Sequence, residues 1–186
     1  THDLAAPTTA AVYVGSGGNA GGGLVAARHL ANMGVDVIVV AARPARDLGS
    51  VPRHQLDIVE RMGIEVRAEP VDADVAVDAL IGYSLRGAPG GRTGELVAHL
   101  RAGVRPVVSL DVPSGLDTTT GASPGAVVEA VATLTLAAPK VGLRGCPQVG
   151  RLFIGDISVP PSVYWAMGVQ GSPPPFELGP ILEVAD

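Results

Sequence analysis

The chain has 186 residues, of which 47% are apolar, 17% charged and only 3% aromatic, with a net charge of −5 at pH 7. That composition excludes a disordered chain and fits one domain with an aliphatic core, as a buried parallel sheet requires. The acidic balance argues against nucleic acid as the main partner, and no run approaches the ~18 apolar residues of a membrane span.

Residues 1–10 read as a loose leader, starting with Thr1 rather than Met. Ala11 to Gly15 is predicted as a buried strand, followed by a glycine-rich loop from Ser16 to Gly23. Leu24 to Met33 carries Leu24, Ala27, Leu30 and Ala31 at helical spacing, and Gly34 stops it. Val35 to Ala42 predicts a second strand. Pro52 opens a helix to Met62, closed by Gly63, and Ile64 to Arg67 is a short strand. Val75 to Ile81 predicts a strand, Arg92 to Ala102 a helix, and Arg105 to Leu110 the strand feeding Asp111. Ala130 to Leu136 and Leu152 to Ile157 are further strands, and the proline-rich tail from Gly171 is expected to pack on the surface. Strands alternating with helices indicate a parallel sheet covered on both faces.

Three strand ends carry candidate chemistry. The loop Gly15-Ser-Gly-Gly-Asn-Ala-Gly-Gly-Gly23 stands between a strand and a helix, where free N–H groups bind phosphate. The alternative is a tight connection with no ligand, although six glycines in nine residues exceed what a connection needs. An acidic residue at the end of the second strand, expected of an NAD-dependent dehydrogenase, is replaced by Arg43, which leaves an NADP-dependent oxidoreductase as a minor reading. Asp78 lies in an apolar strand and must be hydrogen-bonded, paired or bound to a cation. The loop after it offers Ser84 and Arg86 to a second anionic group, or leaves Arg86 solvated. Asp111 is delivered to a strand end and followed at once by a Pro-Ser-Gly turn, which is either a site or a structural turn.

Lys140 is the single lysine among thirteen basic residues, so it marks either a place for a compact ammonium or an ordinary solvated loop. His2, His29, His54 and His99 have no metal-ligand spacing. Ser114 has no matching His/Asp arrangement for a hydrolase triad. Cys146 is alone, which rules out an intrachain disulfide and fits a reducing, cytoplasmic compartment.

Taken in order, these segments resemble the NAD(P)HX epimerase family, or YjeF N-terminal domain. The resemblance rests on residues 14–30, on Asp-Ala-Leu-Ile-Gly at 78–82 and on Asp-Val-Pro-Ser-Gly-Leu-Asp at 111–117. Ala-Pro-Lys-Val-Gly-Leu at 138–143 and Gly-Asp-Ile-Ser-Val-Pro at 155–160 extend it. It implies a three-layer α/β/α sandwich with a mostly parallel, Rossmann-like sheet, often dimeric. It also implies epimerisation of hydrated NADH and NADPH, with a separate dehydratase completing the repair.

The resemblance implies Asn19, Asp78 and Ser114 as ligands of a potassium ion. It implies substrate contacts from Gly18, Asn19, Ala20, Gly21 and Gly22, and from the phosphate cradle Gly82, Tyr83, Ser84, Leu85, Arg86, Gly87 and Ala88. Asp111 would face the hydrated nicotinamide and transfer the proton, with Lys140 supporting it or touching the substrate. The chain departs from the family's loop pattern at Gly18, Ala20 and Gly22, where an asparagine, a glycine and an aspartate are usual. Those losses keep a second reading open, a non-catalytic nucleotide- or protein-binding module on the same fold.

Overall fold

Alternation within each apolar run sends its side chains to the two faces of one sheet. In the first strand, β1 (Thr9–Val14), Ala10, Val12 and Val14 join one core cluster, while Ala11 and Tyr13 join another. The computed structural model describes residues 7–168 and 174–184. The other strands are β2 (Asp36–Ala41), β3 (Glu65–Arg67), β4 (Val75–Ala79), β5 (Val107–Leu110), β6 (Ala132–Leu136), β7 (Arg151–Gly155) and β8 (Ile181–Glu183). They form one eight-stranded sheet in the order β3-β2-β1-β4-β5-β6-β7-β8. All neighbours are parallel except β7 and β8, which are antiparallel.

Helices α1 (Gly18–Asn32) and α2 (Ser50–Arg61) cover one face, placing Leu24, Ala27, Leu56 and Val59 on Val12 and Val39. Helix α3 (Gly91–Ala102) covers the other with Leu96, Val97 and Leu100. Each fully buried Leu or Val contributes about 1.5–3 kcal/mol relative to its exposed state. This is the three-layer α/β/α arrangement expected from the alternation of elements. Among the described residues no helix is long and apolar enough to cross a membrane.

Several strand ends shift by one or two residues, and three larger differences from the sequence reading have a physical cause. Strand β1 starts inside the expected leader, because Asp74 Oδ2 accepts hydrogen bonds from the Thr8 N–H (2.9 Å), the Thr8 hydroxyl (2.7 Å) and the Thr9 N–H (3.0 Å). Helix α1 starts at Gly18, so most of the expected loop is helix. Its glycines serve contact: a Cβ at Gly23 would lie 2.5 Å from the Ala79 Cβ, and one at Gly21 would touch Val51. Glycine here lets α1 settle onto β4, which outweighs its low helix propensity. In the tail, residues 171–173 and 185–186 lie outside the described residues. Ile181–Glu183 adds an edge strand, held also by Arg151 donating to both Glu183 carboxylate oxygens at 2.9 Å.

Two outcomes follow from this packing. Gly23→Ala should lower unfolding free energy by about 1–3 kcal/mol through overpacking, whereas Gly18→Ala, with open space around it, should leave stability unchanged within ~0.5 kcal/mol. Urea denaturation of the two variants compares them directly. Asp74 is held down to about 2 by its bonds to Thr8 and Thr9, from an ordinary 3.8. A carboxyl with a depressed native value stabilises the fold above its unfolded value and loses that contribution as pH falls through the native one. The stability gap between the wild type and Asp74→Ala should therefore hold constant above about pH 5 and shrink between about pH 4 and pH 2.

Candidate active site

The sheet reverses its winding between β1 and β4, and in such sheets the crevice at the strands' carboxyl ends binds ligands. An open cleft of about 980 Å³ lies there, walled by the turns after β1, β4, β5 and β6. The walls approach closely: a Cβ at Gly15 would stand 2.0 Å from the Leu80 carbonyl oxygen, so only glycine fits.

Beneath the cleft, Asp78 is completely buried at the end of β4. Its Oδ1 accepts from the Ser114 hydroxyl (2.6 Å) and the Leu80 N–H (3.2 Å). Its Oδ2 accepts from the Ser114 N–H (2.8 Å) and the Ser109 hydroxyl (2.9 Å). Burial pushes this carboxyl up, and the bonds from Ser114, Leu80 and Ser109 pull against that. Ser114 is buried too, and its Oγ accepts the Ile81 N–H at 2.9 Å. The carboxylate thus joins the ends of β4 and β5 to the turn that follows β5.

That turn begins at Asp111 with φ 69°, a left-handed conformation unfavourable for a residue with a side chain. Gly115 follows at φ 102°, where a Cβ would meet the Ala126 carbonyl at 2.2 Å, so glycine is required. Asp117 fastens the far end of the turn. Its Oδ1 accepts the N–H groups of Thr119 (2.9 Å) and Thr120 (2.8 Å), which hold its carboxyl below the usual range.

The twist at Asp111 turns its side chain into the cleft, although the residue is only 5% exposed. Oδ2 accepts the Tyr83 N–H at 3.1 Å from the β4 loop. Oδ1 is ion-paired with Lys140 Nζ and also accepts the Leu136 N–H at 3.4 Å. Lys140 Nζ further donates to the Thr135 hydroxyl (2.9 Å) and the Leu136 carbonyl (3.0 Å). An acid and an ammonium therefore share one side of the cleft, a pair suited to moving protons.

The opposite wall is the start of α1. The helix has no side-chain cap and no acidic residue in its first turn, which leaves its positive end open to an anion. Gly18, Asn19 and Gly22 line the cleft at helical spacing. Ala20 and Gly21, expected in the site, do not line it: the same helical turn sends Ala20 into the core and Gly21 against α2. A Cβ at Gly22 would come 2.8 Å from Leu110 Cδ2, so a larger side chain there would need the leucine side chain to move aside. Asn19 Nδ2 donates to the Leu110 carbonyl at 3.1 Å, while its Oδ1 is buried without a hydrogen-bond partner.

Of the second loop, Gly82, Tyr83, Ser84, Leu85, Arg86 and Ala88 line the cleft. Gly87 does not; it takes φ 73° with open space around it. Arg86 is exposed and makes no ion pair among the described residues, so its charge is available to a ligand. Asp78 and Ser114 lie below the cleft rather than on its wall, and Arg43 is not among the residues that line it. The far side was not foreseen. It comprises Leu136 to Pro139, Ile157 and Val159, with Val163, Tyr164 and Met167 from or just beyond α4 (Pro161–Ala166). The proline at the start of α4 is a helix-entry signal that could have marked it.

Comparison with known proteins bears on the family and the fold. The family model described as YjeF-related protein N-terminus matches residues 2–142. A Dehalogenimonas lykanthroporepellens protein named NAD(P)H-hydrate epimerase is 47% identical over 174 residues, covering 90% of this chain and 69% of that protein. A Truepera radiovictrix protein of the same name is 36% identical, with coverages of 86% and 74%. A Hyperthermus butylicus protein named bifunctional NAD(P)H-hydrate repair enzyme Nnr is 41% identical, and the matched region spans only 30% of its length. The crystal structure of yeast ynu0, YNL200c, has the same fold, with a TM-score of 0.80 at 23% identity over 95% of this chain and 77% of that one. With a matched family model over most of its length and a close relative covered along two thirds of its own, the chain belongs to the YjeF-related N-terminal family.

Proposed function

We propose that this protein interconverts the R and S epimers of hydrated NADH and NADPH, so that a separate dehydratase can restore the cofactor. The observation that carries the reading is the Asp111–Lys140 pair, held in a strand-end cleft opposite an uncapped helix start. The similarity to proteins named NAD(P)H-hydrate epimerase supports it. The free cysteine Cys146 fits a cytoplasmic setting.

Epimerisation inverts the hydroxyl-bearing ring carbon without redox change. The ring nitrogen's lone pair expels the hydroxyl as water once a proton reaches it, leaving an iminium ion. Water then returns to the opposite face and gives up a proton. Asp111 is suited to give the first proton as the acid and to take back the second as the carboxylate, with the Lys140 ammonium holding it in place. The backbone at the start of α1 and the loop bearing Ser84 and Arg86 would hold the phosphates.

Potassium would be held by Asn19, Asp78 and Ser114. The donors fit: all are oxygens, Asn19 Oδ1 is buried and unpartnered, and Asp78 is a buried carboxylate that a cation would keep ionised. When bound, the ion would supply positive charge beneath the phosphate-facing wall. A second reading, a binding module without catalysis, is favoured by one observation: Gly22, on the cleft wall, supplies no carboxylate.

Purified R-NADHX, an S-specific dehydratase and its nucleotide provide the test. The protein should speed the return of NADH absorbance above the spontaneous rate, and Asp111→Asn should slow it by about 10²–10⁴-fold with the fold intact. No acceleration by the folded wild type would favour the binding module. Potassium chloride, but not sodium chloride at equal ionic strength, should raise the melting temperature, and Asn19→Ala should abolish the difference. Equal melting in both salts would remove the ion from the account.

A further inference from the structure

The loop that carries Lys140 contains a strained residue for which the proposed chemistry gives no reason. Ala137 has φ 64°, a left-handed conformation that alanine rarely adopts without being held there. Three hydrogen bonds hold it. The Ala137 N–H donates to the Gly155 carbonyl (3.1 Å), and the Ala138 N–H donates back to the Leu136 carbonyl (2.8 Å). The third comes from outside the loop: the Tyr164 hydroxyl donates to the Ala137 carbonyl at 2.8 Å.

Tyr164 is 5% exposed and belongs to α4, beyond the 2–142 segment that the family model matches. The backbone of Leu136, next to Ala137, serves both members of the ion pair. Its N–H donates to Asp111 Oδ1, and its carbonyl accepts from Lys140 Nζ. A rotation at Ala137 would therefore displace the ammonium and the carboxylate together. We propose that Tyr164 is a positioning residue, whose hydroxyl pins the Ala137 carbonyl and so sets Lys140 against Asp111. The proposal rests on the epimerase reading for its kinetic consequence but not for its geometry.

Tyr164→Phe keeps the ring and removes only the hydroxyl. Because Lys140 is the single lysine, protein labelled with ¹³C-lysine reports it as one side-chain resonance. In Tyr164→Phe that resonance should shift and broaden, and kcat for epimer exchange should fall about 10-fold with KM changed less than twofold. A hydroxyl that only braced α4 would lower melting temperature while leaving the lysine resonance in place. Ala137→Gly, which removes the cost of the left-handed conformation without touching α4, should restore the resonance when added to Tyr164→Phe. An unchanged resonance in folded Tyr164→Phe overturns the proposal. A shifted resonance in a protein whose wild type shows no epimerisation would sustain the positioning role and defeat the epimerase reading alone.

Discussion

A carboxylate with no access to water, Asp78, sets the geometry of this protein's cleft. An isolated buried charge costs several kcal/mol, and removing one partner of a buried charged network costs about 3–5 kcal/mol. Asp78 offsets that cost with four donors from three places: its own strand end, β5 and the turn after β5. Ser114 supplies two of them and also binds the β4 loop through the Ile81 N–H. The two loops that meet across the cleft are thus fastened to one anion. The unfavourable backbone at Asp111 persists because residues on either side of it are fixed, Ser109 and Ser114 by Asp78 and Leu116 by complete burial in a third core cluster.

Two aspartates on neighbouring strands take different roles because their surroundings differ. Asp78, buried beneath the cleft, accepts four hydrogen bonds and organises backbone. Asp111 has one oxygen on a backbone N–H and the other on an ammonium, with an opening to the cleft. The cation beside it has a fixed place as well, since Thr135 and the Leu136 carbonyl take the other protons of Lys140. Pairing by lysine rather than arginine leaves a compact ammonium that can give up a proton as well as carry charge. The apolar wall formed by Leu136 to Pro139 and α4 limits water on that side, which strengthens each polar contact inside.

Much of this was legible in the sequence, for physical reasons. Strand order followed from short apolar runs such as Val75–Ala79, the pattern a parallel sheet covered on both faces requires. Asp78 and Asp111 stood out because an acid inside an apolar run has to be explained. The glycine-rich segment misled. Glycine signals a loop by local propensity, yet here tertiary contact of Gly23 with Ala79 decides in favour of helix. The helical turn also decides which of these residues line the cleft: Gly18, Asn19 and Gly22 do, while Ala20 packs into the core and Gly21 against α2. The left-handed Asp111 and Ala137 had no signal at all, since their conformations are imposed by bonds from residues distant in sequence. The tail strand is three residues long and pairs along one edge, too short for any pattern to show.

The central claim is that the Asp78 network places Asp111 against Lys140. A crystal structure of Asp78→Asn tests it most directly, because one carboxylate oxygen is replaced by an amide nitrogen that cannot accept the bonds Ser114 and its neighbours donate. The account predicts a displaced 111–117 turn, with Asp111 out of the left-handed region and its contact with Lys140 broken. Asp111 still at φ near 69° and still paired with Lys140 would contradict it.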